Sequence, residues 1–549
     1  MNSPAHSFQI SGNIVDIINE RIFPGTLIIG SGKIASVAED TGIKESQYIL
    51  PGFIDSHVHI ESSMLAPSEF ARLASVHGTV AAISDPHEIA NVTGMYGVRF
   101  MIDNGRQTPF KFYFGAPSCV PATVFETSGA ALDTHAVREL LQSDDIKYLS
   151  EMMNFPGVLN GSPEVIEKIN IAKELGKPVD GHAPGLQGGD LVKYVRTGIS
   201  TDHECFSLDE AIEKITLGMK ILIREGSAAR NFETLHPLIS MYPEMCMLCS
   251  DDKHPDGLAG GHINELVKRA LSKGHGLFDT LKAATLNPVR HYNLDTGLLR
   301  CGDDADFIVI DNLNEFNIKK TYIKGIKVAE NGSPLIDETV KVKPNVFNTS
   351  RKTIDDFRIE RKKSGNILVI EAIDGELVTN KFITWPNVDD GLIVADIERD
   401  ILKIAAINRY EDASPALGFV KNFGLKRGAI ASSVAHDSHN IIAVGANDKD
   451  ICTAVNTIID SKGGIAISVN GKTDLLPLPI AGLMSAADGY ETAKKYAEMN
   501  LEAKSLGSAL ESPFMTLSFM ALTVIPKIKL SDKGLFDGES FSFIELETD

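Results

Sequence analysis

Long apolar runs are missing from this 549-residue chain: no stretch of about 18 apolar residues occurs, which excludes a membrane-spanning helix. The first residues, MNSPAHSFQISGN, lack a basic region followed by an apolar core, so no signal peptide is expected. Cysteine is scarce. Six cysteines make no disulfide scaffold, and the expected compartment is the reducing cytoplasm. Positive charge is also short, with 53 Lys plus Arg against 73 Asp plus Glu and a formal net charge of −20. That balance argues against a nucleic-acid backbone or an anionic membrane as the main partner and suits small uncharged or cationic ligands. Heptads, internal repeats and low-complexity tracts are absent as well. What is present is ordinary globular usage, 43% hydrophobic and 23% charged, so bulk disorder is not expected. At about 150 residues per domain the length predicts three or four domains.

The middle of the chain carries a rhythm. Eight short apolar, β-branched runs stop at a polar residue or glycine: FIDSHVH at His59, TVAAISD at Asp85, KFYFG at Gly115, IKYLSE at Glu151, PVDGH at His182, ISTDH at His203, KILIR at Arg224 and MCMLCSD at Asp251. Helix-compatible stretches lie between them, such as Ser162 to Gly176 and Ser207 to Gly218, each opening on a Ser N-cap candidate and closing on Gly. Eight strand–helix units over roughly 250 residues predict an α/β fold of the (β/α)8 TIM-like type for residues 51–299. A doubly wound sheet fits less well, because no Gly-rich phosphate loop follows the first strand. The flanks, 1–50 and 300–345, read as short strands (Gly12 to Ile18, Gly25 to Gly30, Gly32 to Val37, Ala305 to Asp311, Lys319 to Gly332) and are expected to form one small β domain together. Residues 346–549 read as a C-terminal α+β domain with strands in NILVIEAI, KIAAIN, NIIAVGA and GIAISV and a helix over Asp488 to Ala509.

Histidine and carboxylate gather at the strand ends. His57 and His59 sit at i, i+2 in one strand, so both imidazoles point to one face. Glu151, His182, His203 and Asp251 end four other strands, at the rim where this fold keeps its chemistry. Four imidazoles and two carboxylates are too many for one tetrahedral ion and suit two ions bridged by a carboxylate. Cys246 and Cys249 form a CxxC without a second pair or zinc-spaced histidine, and read as buried strand residues. His254, His262, His275 and His291 read as helix caps or packing. His436 and His439 could reach the active site, meet another subunit or stabilise a turn.

The sequence resembles the bacterial adenine deaminases of the amidohydrolase superfamily. The superfamily likeness rests on PGFIDSHVHIESS (Pro51 to Ser63), His182, His203 and Asp251. The narrower one rests on SDPHEIANVTG (from Ser84), APSCVPAT (from Ala116), EMMNFPGVL (from Glu151), DGHAPGL (from Asp180), TDHE (from Thr201), REGSAARN (from Arg224) and CSDDKHPDGL (from Cys249). It continues into SSVAHDSHNIIAVG (from Ser432) and MTLSFMAL (from Met515). The resemblance implies that Glu151 replaces the carboxylated lysine that bridges the metals in many relatives. His57, His59 and Asp251 would hold one ion, and His182 and His203 the other. It implies two divalent ions, Mn or Fe with Zn as a plausible substitute, and adenine as the small-molecule partner; a homodimer is the expected assembly.

The implied reaction is hydrolytic deamination of adenine to hypoxanthine and ammonia, by a hydroxide held between the ions attacking C6. Asp251 would take the hydroxide's proton and deliver it to the leaving amine. Attack loads charge onto N1, for which Glu88 is the nominated acid with His87 beside it; the alternative is that Glu88 serves the following helix as an N-terminal carboxylate. Asp252 would accept from a purine N–H or clamp the last strand, and Ser118 and the segment from Arg224 to Asn231 would line the purine pocket. Two other readings compete: a metal-dependent cyclic amidase (dihydroorotase- or hydantoinase-like), which usually bridges with lysine, and a non-catalytic amidohydrolase-like scaffold, which typically loses metal ligands.

Overall fold

The computed structural model describes residues 7–337 and 342–548. Residues 1–6 and 338–341 of the expected flanking domain, and residue 549 of the last, lie outside the described residues. Four parallel strands, Phe53–Val58, Thr79–Ser84, Lys111–Ala116 and Ile146–Leu149, pair in chain order. Thr201–Asp202, Lys220–Arg224 and Cys246–Cys249 form a second parallel set. Val179 bridges the two, touching Leu149 on one side and Ile199 on the other, and a Val58–Asp251 bridge brings the last strand beside the first. The arrangement is a TIM-barrel-like α/β fold.

The fifth strand is shorter than PVDGH predicts, a single bridging residue rather than a run. Pro178 has no N–H to donate, so only its carbonyl enters the ladder, accepting from Leu149 N–H at 2.9 Å. Helices appear where the spacing predicts them, at Pro163–Glu174 and Leu208–Thr216. Ser207 caps the second by accepting from Glu210 N–H (3.2 Å). Ser162 makes no side-chain cap bond: Pro163 stands at the first helical position, where a missing N–H costs nothing.

Strands from both flanks join one sheet. Tyr48–Pro51 is the seam, parallel to Phe8–Asp16 on one side and antiparallel to Phe307–Ile310 on the other. That seam strand has no counterpart among the sequence expectations, and the first two strands of the chain start earlier than expected, at Phe8 and Arg21.

The C-terminal region holds an eight-stranded, mostly antiparallel sheet. Its central strands are apolar on both faces, and the faces serve different cores. Ile404, Ala406, Ile430, Ile442 and Val444 join the large core shared with the barrel, while Ala405, Ile407, Ala429, Ala431 and Ala443 face a helix over Asp448–Ser461. Alanine on the helix side leaves room for Ile451, Val455 and Ile458 to seat against the sheet. This helix is a second one in the region, beyond the expected helix, which spans Gly489–Ser505. Asn447 caps it, accepting from Asp450 N–H at 2.8 Å. Among the described residues no helix is long and apolar enough to cross a membrane.

Candidate metal and substrate site

The i, i+2 spacing works as the strand pleat requires. His57 and His59 bring their Nε2 atoms 3.2 Å apart, and His57 stacks on His203 with ring centroids 4.2 Å apart. Glu151, two residues beyond its strand, lies between the histidines. Its Oε1 is 3.2 Å from His59 Nε2, and its Oε2 is 2.8 Å from His182 Nδ1 and 3.1 Å from His203 Nε2. Asp251 Oδ1 faces both His57 and His59 at 3.4 Å. All six side chains are buried. The sets His57–Glu151–His203, His57–His59–Asp251 and His182–His203–Glu204 each bring one ligand atom per residue within 4.8 Å of the others.

The electrostatics suit a cation. Burial alone would raise the Glu151 carboxyl, yet His182 and His203 hold it well below its usual range. Burial would likewise depress His203, but the hydrogen bond and charge of Glu151 lift it to about 9. Burial would raise Asp251 too; Arg224 and then His57 keep it ionised. Asp251 has φ of +52°, a left-handed turn that aspartate tolerates better than most residues and that recurs at functional sites. Its amide donates to the His57 carbonyl at 3.0 Å, which locks the strand end in that turn.

Several expected purine contacts have other employment. Ser118 is absent from the cavity lining: its hydroxyl donates to the Glu151 carbonyl at 2.5 Å and so positions the backbone that carries Glu151. Arg224 does line the cavity, but its guanidinium is engaged by both oxygens of Glu204 and by Asp251 Oδ2 at 2.7 Å. Asp252 lies on the cavity wall with its Oδ1 held by the Ser62 hydroxyl at 2.5 Å, so the clamp and the wall position coexist.

His87 Nδ1 lies 3.0 Å from Asp85 Oδ2 and 3.6 Å from Glu151 Oε1, so it leans on the metal-type cluster. Glu88 does not cap its helix: the Ile89 N–H is taken by Glu61 at 3.1 Å. Both Glu88 oxygens instead accept from the C-terminal region, Oε1 from His436 Nδ1 at 2.5 Å and Oε2 from His439 Nε2. Burial would raise the Glu88 carboxyl, but His436 and His439 hold it well below its usual range. The expected acid is therefore an anion here, and the proton of the pair sits on His436, whose pKa rises to about 9 against the effect of burial because Glu88 and Asp252 face it.

Above these residues lies a small cavity. The barrel supplies its charged floor. The C-terminal region supplies Leu377, Phe519, Leu522, Val524 and Ile525, with His436 and Asp437 as its polar members. Three contributors escaped the sequence reading: Glu204, Asp85 as a neighbour of His87, and Asp437. Glu204 was signalled by its place in TDHE, directly after His203. Cys246 and Cys249 are buried free thiols within their strand.

Residues 48–328 match the amidohydrolase family, and residues 376–542 match the adenine deaminase C-terminal domain. The adenine deaminase of Methanosarcina mazei is 55% identical over 551 residues, covering 98% of this chain and 99% of that one. The chain belongs to the adenine deaminase family. Other members of that family include the adenine deaminase of a Sulfurovum species, also 55% identical with 98% of this chain and 99% of the relative covered. The adenine deaminase of Borreliella burgdorferi is 52% identical over the same shares. Membership reaches across the barrel and the C-terminal region, the two parts that meet at the cavity.

Proposed function

We propose that the chain hydrolyses adenine to hypoxanthine and ammonia in the cytoplasm, at a site holding two divalent ions, Mn or Fe with Zn able to substitute. The observation that carries the chemistry is Glu151, whose two oxygens face different imidazoles on the floor of the cavity. The full-length likeness to proteins named adenine deaminase supports the substrate. His57, His59 and Asp251 would hold one ion, His182 and His203 the other, and Glu151 would serve both. The donor set fits: imidazole with carboxylate suits these metals, every member is buried, and Glu151 stays ionised among the imidazoles. When bound, such a pair supplies a water acidic enough to ionise near neutral pH.

The chain's own groups then handle the protons. Arg224 holds Asp251 Oδ2 and leaves Oδ1 to take the water's proton and pass it to the leaving amine. Glu88 serves the ring nitrogen that gains charge on attack at C6 indirectly, by holding His436 through Nδ1 and keeping it charged. Asp252, on the cavity wall, would accept from the base. Domain organisation follows the same reading: a closed (β/α)8 barrel over 51–299, a flanking β domain from 1–50 and 300–345, and a C-terminal domain from 346. The assembly is a homodimer, which light scattering tests. Absorbance change on adding adenine to metal-loaded protein, with adenosine and dihydrouracil as controls, tests the activity. Turnover of dihydrouracil instead would replace the reading with a cyclic amidase.

A further inference from the structure

We infer that His436 and Asp437 read the N1/6-amino edge of adenine, His436 donating from Nε2 to N1 and Asp437 accepting from the amino group. The inference rests on the adenine deaminase reading above. His436 Nε2 and Asp437 Oδ2 are both buried, both on the cavity wall, and neither has a hydrogen-bond partner among the described residues. Buried polar atoms without partners are rare, and two on consecutive residues facing one cavity point to a ligand that supplies the partners.

The rest of His436 is fixed. Its Nδ1 is bonded to Glu88 Oε1 at 2.5 Å, and its ring stacks on Phe519 with centroids 5.0 Å apart at 24°. The second Glu88 oxygen is taken by His439 Nε2, and the Ala435 N–H donates to His439 Nδ1 at 3.2 Å. That last bond settles the His439 tautomer with its proton on Nε2, donating to Glu88. Glu88 thus has no free oxygen to offer the substrate and acts as a positioning residue for His436. Since Glu88 and Asp252 outweigh burial and keep His436 charged at neutral pH, Nε2 carries a proton.

The pair is complementary to the substrate. Adenine offers an acceptor, N1, beside a donor, the 6-amino group, and the protein offers a donor beside an acceptor. As the C6–O bond forms, the C6=N1 electron pair moves onto N1, which takes the Nε2 proton and leaves His436 neutral with Nδ1–H still bonded to Glu88. The amine takes its proton from Asp251 and the C6–N bond breaks to release ammonia. The proton lost from the new C6 hydroxyl restores His436 to its charged form. Hypoxanthine then presents the reverse pattern, N1–H beside a carbonyl oxygen, and meets like against like. The same two residues select the substrate and disfavour the product.

The test uses the metal-loaded full chain. In His436→Gln, kcat on adenine should fall about 10²–10⁴-fold while bound metal and melting temperature hold. The same variant's inhibition constant for 1-deazaadenine, which has C–H in place of N1, should not move. In Asp437→Asn, which can turn an amide donor to the base, the ratio of hypoxanthine Ki to adenine KM should shift toward hypoxanthine by roughly ten-fold or more. A role in folding alone would leave that ratio where it is. Unchanged kcat in the first variant, an equal loss of 1-deazaadenine binding, or an unmoved ratio in the second overturns the inference while leaving the function intact. A wild-type protein that does not deaminate adenine overturns the function, and the edge assignment falls with it.

Discussion

On the barrel side, the cavity is lined by imidazoles and carboxylates that hold one another in place; on the C-terminal side, it is lined by Leu377, Phe519, Leu522, Val524 and Ile525 around a single polar pair. The barrel side brings charge to the reaction. The apolar side keeps water away, and a charge interaction is worth several times more in such surroundings than in bulk water. Neither half is sufficient: the floor without the wall is a solvated cluster, and the wall without the floor has nothing to polarise. The two are tied by Glu88, a barrel residue whose two carboxylate oxygens accept hydrogen bonds from C-terminal histidines 348 and 351 positions away.

Breaking the floor should cost most. Glu151→Gln keeps the shape but removes the charge facing both sets of imidazoles, so bound metal should fall below two per chain. Activity should drop by more than the roughly 10–100-fold typical of losing an outer partner of a metal site. Metal analysis with steady-state kinetics checks both, and a Gln variant with two ions and near-normal turnover removes Glu151 as the bridge.

The tie comes next. Glu88→Gln places an amide N–H against one of two imidazole donors and removes the charge that keeps His436 protonated. We expect kcat to fall by about 10²–10⁴-fold with metals retained, and KM to change less. A variant that is less stable but fully active would return Glu88 to a purely structural part.

The wall is anchored by a buried lysine. Lys529 Nζ donates to the Leu377 carbonyl at 2.5 Å and to the Phe519 carbonyl at 3.0 Å, and burial lowers its pKa to about 7. An unfolded lysine titrates near 10.4, so between about pH 7 and 10 the unfolded chain binds more protons than the folded one. Stability from this group therefore rises with pH through that window. Lys529→Met should flatten the slope of melting temperature between pH 7 and 9 and raise KM through a looser wall. An unchanged slope would show that Lys529 stays charged when folded. The smallest effect belongs to Cys246→Ser with Cys249→Ser, deep in a barrel strand: metal content and deamination should persist, with only a modest loss of melting temperature. Metal loss in a folded double variant would sharpen the comparison against us.

The floor was legible because its residues obey local rules. A strand pleat puts His57 and His59 on one face, and barrel order puts Glu151, His182, His203 and Asp251 at one rim; both follow from spacing. The wall was legible only as one of three options left open for His436, because nothing local brings it or Phe519 over Glu151. Only tertiary packing decides that. Ser118 shows what sequence leaves open, the direction in which a side chain turns, and here it turns toward a backbone carbonyl. The helix over Asp448–Ser461 escaped for a different reason. Its Ile, Val and Thr residues favour strands by propensity, and the large apolar face against the sheet overrides that preference.

The order of the two halves along the chain has a temporal side. Every residue of the histidine–carboxylate rim has been synthesised once Asp251 leaves the peptidyl-transferase centre, whereas His436 follows 185 positions later. A ribosome adding about 5–20 residues per second needs roughly 10–40 s to cover that distance. For that interval the nascent chain carries the rim without its cover, open to whatever ions the surrounding fluid supplies.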